Sequence, residues 1–176
     1  MIKNSIAKIT PAQRQAANKI IRELQQENAQ NIQKGYGPFL AAVYSERGEL
    51  IAKMPNTVAK DKSCLCHAEI NTIKAACQKL NSYDLSTFNL SIYITAEPCI
   101  MCMGAIMWSG IKKIFYGVNS ADVEKITGFD EGFKPAWLEQ FAKRGIEVFG
   151  EIELEEGRKV LQQYISSGKE IYKPQR

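Results

Sequence analysis

Strand-like and helix-like segments alternate along this chain, and the alternation constrains its fold more than any other feature. Two β-rich apolar runs, at 39–45 and 49–53, flank a turn at 46–48 and predict a hairpin. Further strands are predicted at 90–95, 112–118 and 146–152, and helices at 67–80, 98–108, 135–144 and 155–165. Strands separated by helices are typical of α/β domains, so we expect a sheet that is largely parallel after the hairpin.

A long helix is predicted ahead of the hairpin. Thr10 can cap its start, and Pro11 suits the first helical position. A chain of 176 residues has the size of one ordinary domain, so we expect a single domain over 1–176. Within it, 1–35 would hold the N-terminal helix, and 154–176 a C-terminal helix and tail.

The formal net charge of +4 is concentrated at one end of the chain. Residues 1–34 carry this excess, while the acidic and basic side chains of the remainder balance. A polyanionic partner favours a positive field around its binding groove, so nucleic acid is not an expected partner. No apolar run approaches the ~18 residues of a membrane span, and the polar start lacks the apolar region of an export signal. We therefore expect a cytoplasmic protein that does not enter a membrane.

Two short motifs hold the residues best suited to chemistry, His67-x-Glu69 and Pro98-Cys99-x-x-Cys102. The chain has one histidine, which excludes a zinc site with two or more histidine ligands from one chain. Both motifs are predicted at the starts of helices, and such starts meet at one edge of an α/β sheet. Together they match the His-x-Glu … Pro-Cys-x-x-Cys pattern of zinc deaminases.

The motifs favour a catalytic metal site over a structural one. His67, Cys99 and Cys102 would supply three ligands, and catalytic zinc sites keep a fourth position for water. Two thiolates and a neutral imidazole also balance the charge of Zn²⁺. Glu69 follows the histidine by two residues, a spacing that does not share a helix face. It is therefore expected to carry protons rather than to bind the metal.

Other interpretations of the cysteines are open. Cys64 or Cys66 could close a four-ligand structural zinc site, and the chain would then be a non-catalytic zinc-binding interaction module. A redox-active pair at Cys99 and Cys102 would leave Glu69 without a role. The five cysteines are odd in number and some of them belong to a metal motif, which argues against a disulfide framework. The deaminase interpretation accounts for both motifs and leaves Cys64 and Cys66 unliganded.

From about residue 39 to residue 129 the chain resembles the cytidine-deaminase-like superfamily, and within it the bacterial guanine deaminases. The likeness lies in Asn56, in the Gly-Pro-Phe that ends at Phe39, in the helical segment that ends at Trp108, and in the Gly-Phe-Asp that ends at Asp130. This resemblance implies a three-layer α/β/α sandwich with a central mixed five-stranded sheet, and one zinc ion per chain. It also implies a small-molecule purine base as substrate and a homodimer that can exchange C-terminal segments.

The resemblance further implies a role for each matching residue. His67, Cys99 and Cys102 would bind zinc, and Glu69 would be the proton shuttle. The implied substrate contacts are Phe39, Asn56, the backbone N–H of Ala68, Trp108, Asp130 and, near the end of the chain, Tyr172.

The residues themselves leave other roles open at four of these positions. Phe39 and Trp108 could be core aromatics, because large apolar side chains are usually buried. Asn56 could be a loop residue and Asp130 a turn residue, because both types stabilise turns. The sequence also departs from the family at Ile100, where a proline is common between the two cysteines. This departure bears on the choice of substrate and leaves the zinc chemistry intact.

The expected activity is hydrolytic deamination of a purine base, with guanine giving xanthine and ammonia. The alternatives among enzymes are a tRNA adenosine deaminase and a deaminase of cytosine or another nucleobase. A tRNA enzyme needs basic side chains around its site, and the balanced charge of 35–176 counts against it.

Overall fold

The computed structural model describes residues 8–134 and 136–172 of the chain. The strands are β1 Leu40–Tyr44, β2 Leu50–Pro55, β3 Ser91–Ala96, β4 Lys113–Val118 and β5 Glu147–Phe149. The helices are α1 Pro11–Gln33, α2 Val58–Asp61, α3 Ala68–Leu80, α4 Ile100–Ser109, α5 Ser120–Thr127, α6 Trp137–Ala142 and α7 Leu154–Ser166, and a turn of 3-10 helix spans Ser86–Phe88. Within the described residues, no helix combines the length and the apolar character needed to cross a membrane.

The five strands form one mixed sheet in the order β2-β1-β3-β4-β5. β1 pairs antiparallel with β2 and with β3, whereas β3, β4 and β5 are parallel. Because β2 and β3 are each antiparallel to β1, they run in the same direction and end at the same edge, which we call the carboxyl edge. α3 and α4 come after these two strands in the chain, so both helices begin there. The expected mixed five-stranded sheet is confirmed.

Alternate residues of the central strands point to opposite faces of the sheet, and helices cover both faces. Leu40 and Ala42 pack in a core cluster with residues of α1. Ala41 and Val43 pack in a second cluster with residues of α3, α4 and α6. A third cluster at the carboxyl edge joins α5, α7 and the end of α1. The chain therefore has the three-layer α/β/α arrangement that the resemblance implies.

The long first helix begins at the predicted residue. The hydroxyl of Thr10 accepts a hydrogen bond from the backbone N–H of Gln13 (3.2 Å), whose side chain accepts one from the backbone N–H of Thr10 (3.0 Å). At the other end of the chain, α7 occupies most of the predicted C-terminal helix. Parts of the predicted terminal segments, at 1–7 and 173–176, lie outside the described residues.

The structure differs from the predicted elements at several points; α2 was not predicted, for example, and α6 is shorter than the predicted helix at 135–144. α5 was not predicted, because its eight residues are too few for a clear apolar periodicity; it is fixed by Asn119, whose side chain accepts from the Asp122 backbone N–H at 2.9 Å. α4 begins at Ile100 rather than at Pro98, because Cys99 keeps an extended backbone and caps the helix. β5 is shorter than the predicted strand at 146–152.

Candidate metal and active site

The two sequence motifs lie at the first turns of α3 and α4, at the carboxyl edge. His67 is the residue immediately before α3, and Cys99 the residue immediately before α4. Cys102 lies in the first turn of α4. The backbone N–H groups of a first helical turn have no partners within the helix and form its positive end, which favours thiolate at both cysteines. The fold thus brings the two motifs together as the spacing predicts.

The three candidate ligand atoms lie at the separations of a zinc site. His67 Nδ1 is 3.5 Å from Cys99 Sγ and 3.6 Å from Cys102 Sγ, and all three atoms lie within 4.8 Å of one another. In a tetrahedral site with Zn–N of about 2.1 Å and Zn–S of about 2.3 Å, the nitrogen and each sulfur would be about 3.6 Å apart. The residues present therefore fit a zinc ion, and we call them the ligand cluster.

The other two candidate cysteine ligands stay outside this cluster. Among residues 8–134 and 136–172, the group that could hold a metal ion consists of His67, Cys99 and Cys102 alone. Cys64 is exposed and Cys66 half-buried, and neither joins the group. A closed structural site built with these cysteines is not what the structure shows. Three ligands leave a coordination position for a water molecule.

The two thiols of the cluster differ in acidity. The Cys102 thiol donates a hydrogen bond to Cys99, which lowers the pKa of Cys99 to about 4 and raises that of Cys102. One sulfur of the pair is therefore a thiolate at neutral pH. Because thiolate is the form that binds metal, a bound cation would favour deprotonation of the second sulfur as well.

Glu69 lies in the first turn of α3, beside the ligand cluster and only 6% exposed. Burial disfavours its charged form, and the negative charge of Cys99 adds to this effect, so the pKa of Glu69 is raised to about 7. A carboxyl group with such a pKa can take and give a proton near neutral pH, as general acid–base catalysis requires. The structure thus places Glu69 where the sequence motif predicts it.

A second buried carboxyl, Glu131, lies near the same cluster and was not predicted. It is 8% exposed, and burial raises its pKa to about 7. The ion pair with Lys134 opposes this rise, while the charges of Cys99 and Glu69 add to it. The segment that carries Glu131 lies against the start of α4, since a Cβ atom added at Gly132 would be 3.0 Å from the side chain of Ile100, the residue after Cys99. No motif marks Glu131 in the sequence, because it stands in a turn-rich segment.

Asp130, which the resemblance implies as a substrate contact, lies at the surface next to the buried Glu131. Its side chain is exposed, and its Oδ1 accepts a hydrogen bond from the backbone N–H of Gly132 at 2.9 Å. That contact is the one expected of an aspartate in a turn. The structure therefore turns Glu131 inward at this point of the chain, and leaves Asp130 at the surface.

Two buried polar groups without partners lie together against Gly37, and we call the region around them the candidate base pocket. Within the described residues, neither Asn56 Nδ2 nor the Tyr172 hydroxyl, both buried, has a hydrogen-bond partner. Both side chains lie against Gly37: a Cβ atom there would be 2.5 Å from the Tyr172 hydroxyl and 2.6 Å from Asn56 Oδ1. Burial raises the pKa of Tyr172, and the charges of Glu69 and other acidic groups of the site add to it. Buried polar groups normally find partners, so this pocket suits a ligand with polar edges.

Aromatic rings line the same pocket. The ring of Phe129 lies 5.6 Å from that of Phe39 and 4.7 Å from that of Tyr172, measured between centroids. Phe39 is half-buried and packs against two of the core clusters. Sequence analysis implied Phe39 and Tyr172 as contacts and missed Phe129 between them. Such rings offer flat apolar surface to a planar ligand. Tyr172 reaches this pocket from the tail of its own chain.

Two more of the implied substrate contacts differ in their surroundings. Ala68 is fully buried and is the first residue of α3, where a backbone N–H has no partner within the helix. Trp108 is 85% exposed on α4 and lines a surface groove with Arg144 and Ile146. The structure does not bring Trp108 into the pocket beside Asn56, and it does not bury it in the core either. The core interpretation of Trp108 is wrong.

Comparison with curated proteins finds deaminases. The guanine deaminase of Bacillus subtilis (strain 168) is 37% identical over 97 residues, which cover 55% of this chain and 60% of that protein. The tRNA-specific adenosine deaminase of Rickettsia typhi is 38% identical over 79 residues, which cover 45% of this chain and 52% of that protein. The chain thus spans between half and two thirds of the length of these relatives.

Solved structures extend the similarity over nearly the whole chain. A structure of NE0047 in complex with 2,6-diaminopurine is 32% identical in sequence to this chain, with a TM-score of 0.83. The match covers 98% of this chain and 98% of that one. A structure of the guanine deaminase from Nitrosomonas europaea is 34% identical with a TM-score of 0.79, over 91% of this chain and 87% of that one. The family model of the MafB19-like deaminases matches residues 15–142. The chain belongs to the MafB19-like deaminase family.

Proposed function

We propose that this chain removes the amino group of a purine base by hydrolysis, with guanine and water giving xanthine and ammonia. One observation carries the proposal: a three-ligand cluster suited to zinc lies beside a buried acid and a pocket with unpaired polar groups. Structures of NE0047 with 8-azaguanine and with 2,6-diaminopurine support a purine base as substrate. The similarity to guanine deaminases, in sequence and in fold, favours guanine.

The ligand cluster and Glu69 divide the work of hydrolysis. A zinc ion held by His67, Cys99 and Cys102 would supply a Lewis acid and lower the pKa of a water molecule towards about 7. Glu69 accepts the proton that the attacking water loses, since its own pKa is raised to about 7. It gives that proton to the ring nitrogen, and then takes the remaining proton of the added hydroxyl group and passes it to the leaving amine. The single histidine is used as a ligand, so proton transfer falls to carboxyl groups.

Glu131 provides a second carboxyl group for the same reaction. Its pKa of about 7 lets it hold or release a proton at the pH where Glu69 does. The charge of Glu69 adds to the rise in the pKa of Glu131, which burial causes first. A site with one acid and one base is suited to a reaction that protonates a leaving group while it deprotonates a nucleophile.

The pocket would recognise the base through its polar edge and its flat faces. The Asn56 Nδ2 donates to an acceptor of the purine, and the Tyr172 hydroxyl gives a second hydrogen bond. The rings of Phe39, Phe129 and Tyr172 exclude water from the base. A site that pairs buried polar groups with a substrate discriminates strongly against analogues that leave those groups unpaired.

The test is a panel of amino-heterocycles assayed for ammonia release by the purified, zinc-loaded chain. Guanine should react, and adenine, guanosine and cytosine should react far more slowly. Transfer RNA belongs in the panel, because tRNA-specific adenosine deaminases are among the relatives. Release from tRNA adenosine and not from guanine would replace the proposed substrate. Release from none of them would overturn the proposed activity.

A second copy of the chain is the partner that fits the surface of α4. Ile100 and Trp108 are both exposed on this helix, and a Cβ atom added at Gly104, which lies between them, would meet nothing. An exposed apolar strip of this kind is typical of an interface. We therefore propose a homodimer through α4, with exchange of C-terminal segments as an additional prediction. Light scattering of the wild type should give twice the mass of 19.8 kDa, and of Trp108→Glu the single mass.

A further inference from the structure

Lys134 is a buried cation next to the candidate site, outside every motif of the sequence. Its side chain is 10% exposed, and its ammonium group lies 3.4 Å from Glu131 Oε2 and 3.5 Å from Glu97 Oε1. It also donates to the hydroxyl of Ser120. By contrast, the Lys143–Glu139 pair on α6 is largely exposed, as surface ion pairs usually are. Burying a lysine between two carboxylates costs free energy, because all three charges lose hydration. Such an arrangement indicates a specific role for the lysine.

The partners of Lys134 connect two segments that both carry site residues. Glu97 follows β3 directly and stands two positions before Cys99, and its backbone N–H donates to the carbonyl of Val118 at 2.7 Å. Its other carboxylate oxygen accepts from the backbone N–H of Ser120 at 3.0 Å. Glu97 is therefore held firmly by its own neighbours. Lys134 joins this anchored carboxylate to Glu131.

We propose that Lys134 is a positioning residue, which holds the carboxyl group of Glu131 against the anchored Glu97 so that Glu131 faces the ligand cluster. The inference rests on the proposed function. Lys134 contacts one oxygen of Glu131, Oε2, and so restricts where that carboxyl group can lie. The segment that carries Glu131 has no regular structure, so the side chain needs such a tether to keep one orientation. Lys134 itself does not touch the substrate.

The first test compares Lys134→Met with the wild type in ammonia release from guanine. Methionine keeps the length of the side chain and removes its charge. The kcat should fall about 10- to 100-fold, the usual cost of losing a group that orients a site residue. The KM and the zinc content should stay the same, because Lys134 contacts neither base nor ligand. Lys134→Arg should recover most of the kcat, and the exposed matched control Lys143→Met should change nothing. An unchanged kcat in Lys134→Met would overturn the inference.

A double-mutant cycle distinguishes positioning from general support of the fold. If Lys134 acts through Glu131, then Lys134→Met should cost little kcat in a Glu131→Gln background. If the two losses multiply, Lys134 acts elsewhere and the inference is wrong. Should Lys134→Met fail to fold, Glu97→Gln removes the anchor instead. It should lower kcat in the same way and show the same dependence on Glu131.

A crystal structure of zinc-loaded Lys134→Met provides a readout that does not depend on activity. The Glu131 carboxyl should turn away from Cys99 or take several orientations, and an unmoved Glu131 would contradict its tethering by Lys134. The outcomes also separate the two proposals. A wild type that releases no ammonia from the panel contradicts the proposed function and leaves the structural test to decide on Lys134. An active wild type with an equally active Lys134→Met contradicts the role of Lys134 alone.

Discussion

The sheet face under α1 and the carboxyl edge are both buried, but they are built from opposite kinds of side chain. Under α1, the rings of Tyr93, Phe115 and Phe149 stack across neighbouring strands with centroids 4.6 and 4.7 Å apart. At the carboxyl edge the buried side chains include Glu69 and Glu131, two groups with pKa values of about 7. The first region thus buries stacked rings, and the second buries ionisable groups beside its apolar cluster.

This difference separates what stabilises the molecule from what it is built to do. Stacked aromatic rings contribute to folding through burial and ring contacts. Buried carboxyl groups and unpaired polar atoms such as Asn56 Nδ2 oppose folding, because water solvates them better. A fold retains such groups where they bind or react. We therefore expect changes at the edge to affect chemistry and changes under α1 to affect stability.

The largest effect at the edge should come from His67→Ala. The change removes one of three ligands, so the remaining two sulfurs should bind zinc too weakly for it to survive purification. Zinc content measured by mass spectrometry and ammonia release should both fall to background. Cys64→Ser is the matched control and should keep both, since Cys64 is exposed and lies outside the ligand cluster. Full zinc retention in His67→Ala would show that the cluster is not the metal site.

Glu69→Gln should cause the second largest loss of activity. Glutamine keeps the size of the side chain and cannot transfer the proton, so kcat should fall about 10²- to 10⁴-fold while zinc content is retained. Steady-state ammonia release and metal analysis measure the two quantities on the same preparation. Glu139→Gln, on the exposed side of α6, should retain full activity. Turnover close to that of the wild type in Glu69→Gln would remove this residue from the mechanism.

Phe115→Ala tests the other side of the comparison. Phe115 stacks between Tyr93 and Phe149, and truncation of a buried phenylalanine lowers the free energy of unfolding by about 3–5 kcal/mol. At a temperature where the variant is still folded, its KM and kcat should match the wild type. Tyr83→Ala, at a side chain that is almost fully exposed, should leave the stability unchanged. A selective loss of kcat in Phe115→Ala would show that the face and the edge are coupled.

The parts of the molecule that sequence analysis could predict are those with a local signal. The apolar runs of β1, β3 and β4 are almost entirely buried, and such runs stand out in a sequence. His67 and Cys99 each come directly before a helix, so their meeting follows from the order of strands and helices alone. The hairpin sets the direction of β2, and the separate antiparallel pairing of β3 with β1 gives β3 the same direction, which brings the two helix starts together.

The parts that were missed depend on contacts between distant segments. Glu131 becomes a site residue only because the loop after α5 folds back towards Cys99, and nothing in its own neighbourhood predicts this. Asp130, one position earlier, has the more familiar sequence context, yet it points to the surface. Trp108 lies on the exposed side of α4. The sequence does not show which side is exposed, because residues on both sides of that helix are apolar.

Asn56→Asp tests whether an unpaired polar group at the carboxyl edge recognises the base. Aspartate keeps the oxygen that accepts from the Val58 backbone N–H at 3.2 Å, and loses the unpaired Nδ2 donor. The kcat/KM for guanine should therefore fall about 10- to 100-fold, because a buried hydrogen bond to the base is replaced by an unmatched acceptor. Isothermal calorimetry with 8-azaguanine gives the corresponding loss of affinity. Asn18→Asp on α1 makes the same chemical change away from the site, and an equal loss there would contradict the role of Asn56.

Tyr172→Phe should give the smallest effect and the clearest contrast between chemistry and stability. The variant keeps the ring that packs 4.7 Å from Phe129 and removes a buried hydroxyl without a partner in the described residues. The free energy of unfolding should therefore stay the same or rise by up to about 1 kcal/mol, since a buried unpaired polar group is lost. The KM for guanine should rise about three- to tenfold, the worth of one neutral hydrogen bond. Thermal denaturation and steady-state kinetics measure the two, with Tyr93→Phe under α1 as the variant that should leave KM alone. A less stable Tyr172→Phe with an unchanged KM would mean that this hydroxyl supports the fold, as the rings under α1 do, rather than the base.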